Sequence, residues 1–232
     1  MGACCSSTAD PVLIQTLNHV DFTPAFTQGN AASALAQVHQ AGGKVVVQRD
    51  HKNKSSVVKV ATEGAKDGDE GKALLTMKDM PDGFSAVVYD ASTGEPVLAI
   101  MKTSLANFFA GTSFGADVWC AKPAWQGQQP ALVPTTGMNM YKWATITQAV
   151  DAPVQCLDAR GSPMIMIMLK TGLTTYGATV YGPMGHNANP CALGENAMGG
   201  GLGNLTGTFY FAKGVDVLMA LIATNVALAH AG

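Results

Sequence analysis

The stretch Val215 to Ala231 constrains the fold more than any other, because it is apolar on almost every side of a helix. Val215, Leu218, Met219, Ile222 and Val226 fall in one stripe at helical spacing, while Val217, Leu221 and Leu228 with Ala220, Ala223 and Ala227 cover most of the remainder. Such a helix has to be surrounded, by protein or by lipid. Its 17 residues fall short of the ~20 that usually span a bilayer, and Asp216, Thr224, Asn225 and His230 interrupt it with no basic flank beyond. Burial in protein is the expectation.

What surrounds it is read from the preceding residues. From Lys44 onward, short runs rich in Val, Ile, Thr, Tyr and Phe alternate with Gly, Pro, Asp and Asn clusters, the texture of an all-β sandwich or barrel. About a dozen strands are expected, the clearest over Val45 to Gln48, Ser56 to Ala61, Ala73 to Lys78, Phe84 to Tyr89, Pro96 to Met101, Phe114 to Ala121, Met140 to Gln148, Pro163 to Lys170, Leu173 to Tyr181 and Gly207 to Ala212. Glu63 to Lys72 and Gly182 to Gly203 read as loops. Two hairpins share one signature, Asp90-Ala91-Ser92-Thr93-Gly94-Glu95-Pro96 and Asp158-Ala159-Arg160-Gly161-Ser162-Pro163. In each, Asp can bond its own turn, Gly can take positive φ, and Pro opens the returning strand. The run Met164 to Leu169 is apolar on both alternating faces, which suggests a strand covered on both sides. A barrel of about eight strands is filled by its own side chains, whereas one of about eleven or twelve has room for a central helix. The expected fold is therefore mainly β, a closed barrel of about twelve strands enclosing the C-terminal hydrophobic helix. A short helix, Ala31 to Ala41, opens behind Asn30 and closes on Gly42-Gly43. Residues 1–29 form a polar tail and 30–232 one domain, the few charges (13%) fitting a large interior.

These features resemble one family: Tubby C-terminal domains, the plant LURP-one-related proteins and phospholipid scramblases. The matching pieces are Asp82-Gly83-Phe84 to Val97, with its Tyr-Asp-Ala-Ser-Thr-Gly-Glu-Pro-Val core, and Phe209-Tyr210-Phe211-Ala212-Lys213-Gly214-Val215-Asp216 running into the apolar helix. The resemblance implies a twelve-stranded barrel threaded by its last helix, attachment to membranes, phosphoinositide headgroups held by basic side chains in Tubby proteins, and acylated cysteines in scramblases. Scramblases carry an acidic, calcium-binding-like stretch before the final helix, whereas Gly207 to Val215 has no carboxylate. Calcium-driven scrambling is not expected.

The chain's first residues, Met1-Gly2-Ala3-Cys4-Cys5-Ser6, read as a double acylation signal: Gly2 as myristate acceptor, Ser6 as the small hydroxyl of that pattern, Cys4 and Cys5 as palmitate acceptors. One myristoyl chain gives only marginal attachment, so the second signal matters. This places the chain on the cytoplasmic face of a membrane, the plasma membrane by expectation. Lys44, Arg49, Lys52, Lys54 and Lys59 concentrate positive charge in one short segment opposed only by Asp50, and are candidates for anionic-lipid binding. The net charge of −2, with Arg49 and Arg160 the only arginines, argues against nucleic acid.

Other constellations are weaker. Gly111-Thr112-Ser113-Phe114-Gly115 fits a nucleophile elbow, with Asp151 or Asp158 and His186 following in hydrolase order, but the motif needs a strand–turn–helix setting and the residues after it read as strand. Gly199 to Gly203 lacks the spacing of a nucleotide cradle, Asp67 to Gly71 lacks the final Glu of a calcium loop, and His186 with Cys191 is two ligands short of a zinc site. No cofactor and no metal are expected. Trp125, in the loop Pro123 to Pro130, could rest at a bilayer surface. The reading is a lipid-anchored, non-enzymatic binding or adaptor module; the alternative is a scramblase-like protein that moves or perturbs lipids, and the third a hydrolase using Ser113.

Overall fold

Helix α1 (Asn30–Ala41) stops where Gly42 takes a φ of 80° and donates its N–H to the Val38 carbonyl at 2.8 Å, the cap expected of the glycine pair. The computed structural model describes residues 30–50, 52–60, 71–81, 85–103, 112–149, 152–171, 175–183, 190–197 and 206–231. Among the described residues thirteen strands follow α1: β1 (Gly43–Asp50), β2 (Ser55–Val60), β3 (Leu75–Asp79), β4 (Ala86–Asp90), β5 (Pro96–Lys102), β6 (Thr112–Cys120), β7 (Ala131–Val133), β8 (Met138–Ala149), β9 (Val154–Asp158), β10 (Pro163–Thr171), β11 (Thr175–Tyr181), β12 (Ala192–Ala197) and β13 (Gly207–Phe211); helix α2 spans Val217–Ala231.

Twelve of the strands close on themselves, every neighbour antiparallel. The ring runs β1 to β6, continues through β8, which pairs with β6 from Thr112↔Ala149 to Cys120↔Tyr141, and ends with β13 returning to β1 from Gly43↔Phe211 to Val47↔Gly207. Strand β7 pairs only with Met138 to Met140 of β8 and lies outside the ring. Its Val133, with Ala99 and Met140, makes a small outer core against Met101, Trp119 and Ala121.

The strands alternate so that one face of each points at α2. Val45 and Val47, Val58, Leu75 and Met77, Ala86 and Val88, Leu98 and Ile100, Val118, Ile146, Cys156, Ile165 and Ile167, Val180, Ala192, Phe209 and Phe211 all join one cluster with the helix. From Val217 to Leu228 no residue is more than 5% exposed. The helix therefore fills the barrel, and among the described residues no helix is long and apolar enough to cross a membrane.

Asp216 caps α2, its Oδ1 accepting the Met219 N–H at 3.0 Å. Helix α1 fastens the same end: His39 Nδ1 donates to the Val215 carbonyl at 2.8 Å, the Gly214 N–H donates to the His39 carbonyl at 2.7 Å, and Leu35 and Val38 pack into the main core. The shared hairpin signature is one turn built twice. Asp90 Oδ1 accepts the N–H groups of Ser92 and Thr93 with Gly94 at φ 74°, and Asp158 Oδ1 accepts those of Arg160 and Ser162 with Gly161 at φ 86°. Burial pulls the Asp90 carboxyl upward, but the hydrogen bonds from Ser92 and Thr93 outweigh it and hold the group below the usual carboxylate range. That turn stabilises the fold at neutral pH and loses its contribution as the pH falls through the folded-state value.

Three expectations need correction. Strands β7, β9 and β12 join the ten clearest of the dozen or so expected, and β12 lies inside the stretch Gly182 to Gly203 read as loop. The apolar helix begins at Val217, with Val215 and Asp216 leading into it. Strand β10 is covered on its second face only in part: Ile165 and Ile167 meet the core, while on the opposite face Met166 is buried and Met168 is 43% exposed.

Candidate functional site

The acylation residues Gly2, Cys4 and Cys5 lie outside the described residues. The five basic candidates do not share a surface. Strand alternation puts Lys44 and Lys59 on the outer wall beside inward Val45 and Val58. Lys52 and Lys54 sit exposed on the β1–β2 turn, roughly 25 Å along the strand from Lys44 at ~3.4 Å per residue. Arg49 follows Val45 and Val47 on the inward face, in the last layer of the barrel at the end away from α1.

Arg49 is largely withdrawn from solvent. Its Nη2 pairs with Asp79 Oδ2 at 2.7 Å, the two side chains being 7% and 21% exposed. Asp79 likewise follows Leu75 and Met77 on an inward face, and Ser56, opposite both Arg49 and Met77, is buried between them. Loss of hydration pushes the Asp79 carboxyl above its ordinary value, more strongly than the Arg49 charge and hydrogen bond pull it down. For a pair buried this far, desolvation can cost as much as the mutual attraction returns. Among the described residues, Arg49 Nε and Nη1 are buried without a hydrogen-bond partner.

The neighbouring turn is rigidly built and leaves its lysines outward. Asp50 accepts the N–H groups of Lys52 and Asn53 at 3.0 and 3.1 Å and the Asn53 side-chain amide at 2.7 Å, a set led by the Asn53 side chain that holds its carboxyl below the usual range. Lys54 adopts φ 48°, and its carbonyl accepts the Asp79 N–H at 3.1 Å. Exposed Lys78, beside Asp79, and exposed Lys102, on the inward parity of Leu98 and Ile100, complete a cationic rim. Asp79 and Lys102 escaped the sequence reading; the usable signal was that Arg49 shares its alternation with Val45 and Val47.

The remaining candidates sit elsewhere. Ser113 lies inside β6 where the pairing shifts between Thr112 and Phe114, not at a turn into a helix. Asp151, His186 and Gly199 to Gly203 are outside the described residues. Trp125 is partly buried beneath Arg160, whose Cζ stands 4.8 Å from the ring centroid, a cation–π contact that ties its loop to the β9–β10 turn. No group of three or more His, Cys, Asp or Glu among the described residues is placed to hold a metal.

Cys120, Cys156 and Cys191 are buried thiols, not joined in disulfides. Burial pushes the Cys191 thiol up to about 12 and raises Cys156 further, Asp216 adding to the second. With Cys4 and Cys5 replaced by serine, the folded protein is expected to resist a thiol reagent at pH 8 and to react at three thiols once unfolded, as absorbance titration would show. Rapid native labelling would contradict this packing.

A closed twelve-stranded antiparallel barrel filled by a C-terminal helix is the architecture that the Tubby-like resemblance implies. Among solved structures, an X-ray structure of a protein from Arabidopsis thaliana, AT5G01750, is similar at a TM-score of 0.43 and 12% identity, covering 82% of this chain and 94% of its own. No protein-family model and no curated protein matches the sequence.

Proposed function

We propose that this protein is a membrane-tethered binding or adaptor module of the Tubby-like kind, held at the cytoplasmic leaflet by acyl chains on Gly2, Cys4 and Cys5 and contacting anionic lipid through exposed lysines. The observation that carries the reading is the burial of α2 on all sides. A helix buried in one core with the inward side chains of the ring is not free to enter lipid, which favours a protein that binds at its surface over the scramblase-like alternative. Lys52 and Lys54, exposed together on one turn, suit an anionic surface better than Arg49, which Asp79 occupies.

Gly2→Ala is expected to move most of the protein from the membrane to the soluble fraction, since cysteine acylation follows membrane contact through the first chain. Cys4→Ser with Cys5→Ser should release only part. Fractionation of expressing cells measures both, and a Gly2→Ala variant as membrane-bound as the parent would overturn the double anchor.

A further inference from the structure

The Arg49–Asp79 pair is poorly satisfied where it stands. The 2.7 Å contact gives the guanidinium its one carboxylate partner among the described residues, and three of its five N–H groups, those of Nε and Nη1, are buried without an acceptor. On the other side, burial disfavours the Asp79 carboxylate more than Arg49 favours it. Both groups give up hydration that a single contact does not restore. Unsatisfied buried groups are rare in folded chains, and stored strain is one reason for which they are kept.

A hydrated position for the guanidinium is close at hand. Arg49, Ser56 and Asp79 form the last inward layer of β1, β2 and β3, and directly beyond Arg49 the chain enters the turn that exposes Lys52 and Lys54. Swinging the long side chain outward places its head in water at that turn. The backbone need not follow, since pairing runs to the edge at Asp50↔Ser55, Ser55↔Lys78 and Asp79↔Ala86, and the Lys54 carbonyl holds the Asp79 N–H at 3.1 Å. What draws Arg49 inward is therefore the charge of Asp79. The other charged groups described at this end are Lys52 and Lys54 on the turn, Lys78 on β3 and Lys102 on β5, which repel a guanidinium, and Asp50, whose carboxylate accepts from Lys52 and Asn53.

We infer that Arg49 and Asp79 form an acid-released latch: ionised Asp79 draws the guanidinium into the wall, and when Asp79 takes up a proton the guanidinium swings out to the rim while the barrel stays closed. The direction of linkage separates this from acid unfolding. A carboxyl raised by burial holds its proton more tightly in the folded wall than in the unfolded chain, so its protonation favours the fold as the pH falls, and the release is local. The latch does not depend on the membrane reading.

The test uses the full, non-acylated chain. Arg49 and Arg160 are the only arginines, so a guanidinium correlation spectrum holds two Nε–H signals, which Arg160→Lys assigns. Exposed Arg160 serves as the reference for exchange with water. At neutral pH the Arg49 Nε–H should exchange at least ~10-fold more slowly than that of Arg160. The ratio should fall towards one as the pH is lowered to about 4, along the same curve as the Asp79 carboxyl carbon signal and with a midpoint above that of an exposed aspartate. Asp79→Asn, which cannot ionise, should show the released ratio already at neutral pH with the backbone spectrum of a folded barrel; the parent's own titration decides even if that variant does not fold. The side chains of His51, Asp82 and His230 are not among those described, and His51→Gln, Asp82→Asn and His230→Gln should each leave the midpoint in place. A midpoint that disappears in any of the three removes Asp79 as the trigger. An Arg49 signal that stays protected while Asp79 takes up its proton, or one released only as the backbone spectrum collapses, overturns the latch.

Discussion

A chain lacking Val215 to Gly232 is expected to accumulate as insoluble or unfolded protein with no cooperative melting transition. Leu218, Met219, Leu221, Ile222, Val226 and Leu228 are each at most 4% exposed, and burying such a side chain stabilises a fold by about 1.5 to 3 kcal/mol. Their sum rivals the whole stability of a typical domain, about 5 to 15 kcal/mol, before the emptied interior adds its own penalty. Nothing else in the described residues could refill the space, since inward side chains from the whole ring share one core with the helix. Circular dichroism against temperature measures the outcome. A truncated barrel melting within a few degrees of the parent would mean that α2 is dispensable to the core, and would return the scramblase-like alternative to favour.

The second large effect is expected from one methyl group. At Gly194 an added Cβ would stand 2.3 Å from Cε1 and 2.5 Å from Cδ1 of Phe209, the residue directly opposite on β13. Phe209 is 1% exposed and stacked on Phe211 at 6.3 Å, so its ring has no vacant space to move into. Overpacking of this kind costs about 1 to 3 kcal/mol, and Gly194→Ala should fall at the upper end, lowering the melting midpoint by roughly 4 to 12 °C for a chain of this size. In a Phe209→Leu background the same change should cost under ~1 kcal/mol, because the clash is with the ring. Equal costs in both backgrounds would show that the ring is not what Gly194 accommodates.

That glycine also explains where the sequence misled. Gly194 looks like a loop residue in a Gly-rich stretch, yet it lies in a paired strand because an aromatic ring takes the place of its side chain. Strand β7 was hidden by Pro130 and Pro134 on either side of three residues, and β9 is five residues long with Gln155 and Asp158 diluting its apolar pattern. Val45, Val47, Ile165, Ile167 and the stripes of α2 were legible because alternation and helical spacing report one burial boundary each. The rim was legible only as a list of basic residues. Charge in sequence says nothing of direction, and it was the strand parity of Arg49 and Asp79 that separated an inward pair from outward lysines.

The closure of the ring carries a consequence for how the chain matures. Strand β1 finds its second partner only in β13, and the helix that fills the interior is synthesised after all thirteen strands. An emerging chain can form hairpins such as β4–β5 and β9–β10, but it cannot seal the wall or cover its inward valines and isoleucines until α2 is available. Such non-local closure is slow, and partly assembled sheets with unpaired edges invite association. Synthesis through α2 is thus the step that converts a sticky intermediate into a barrel, and cellular folding factors would meet this protein in the interval between β6 and α2.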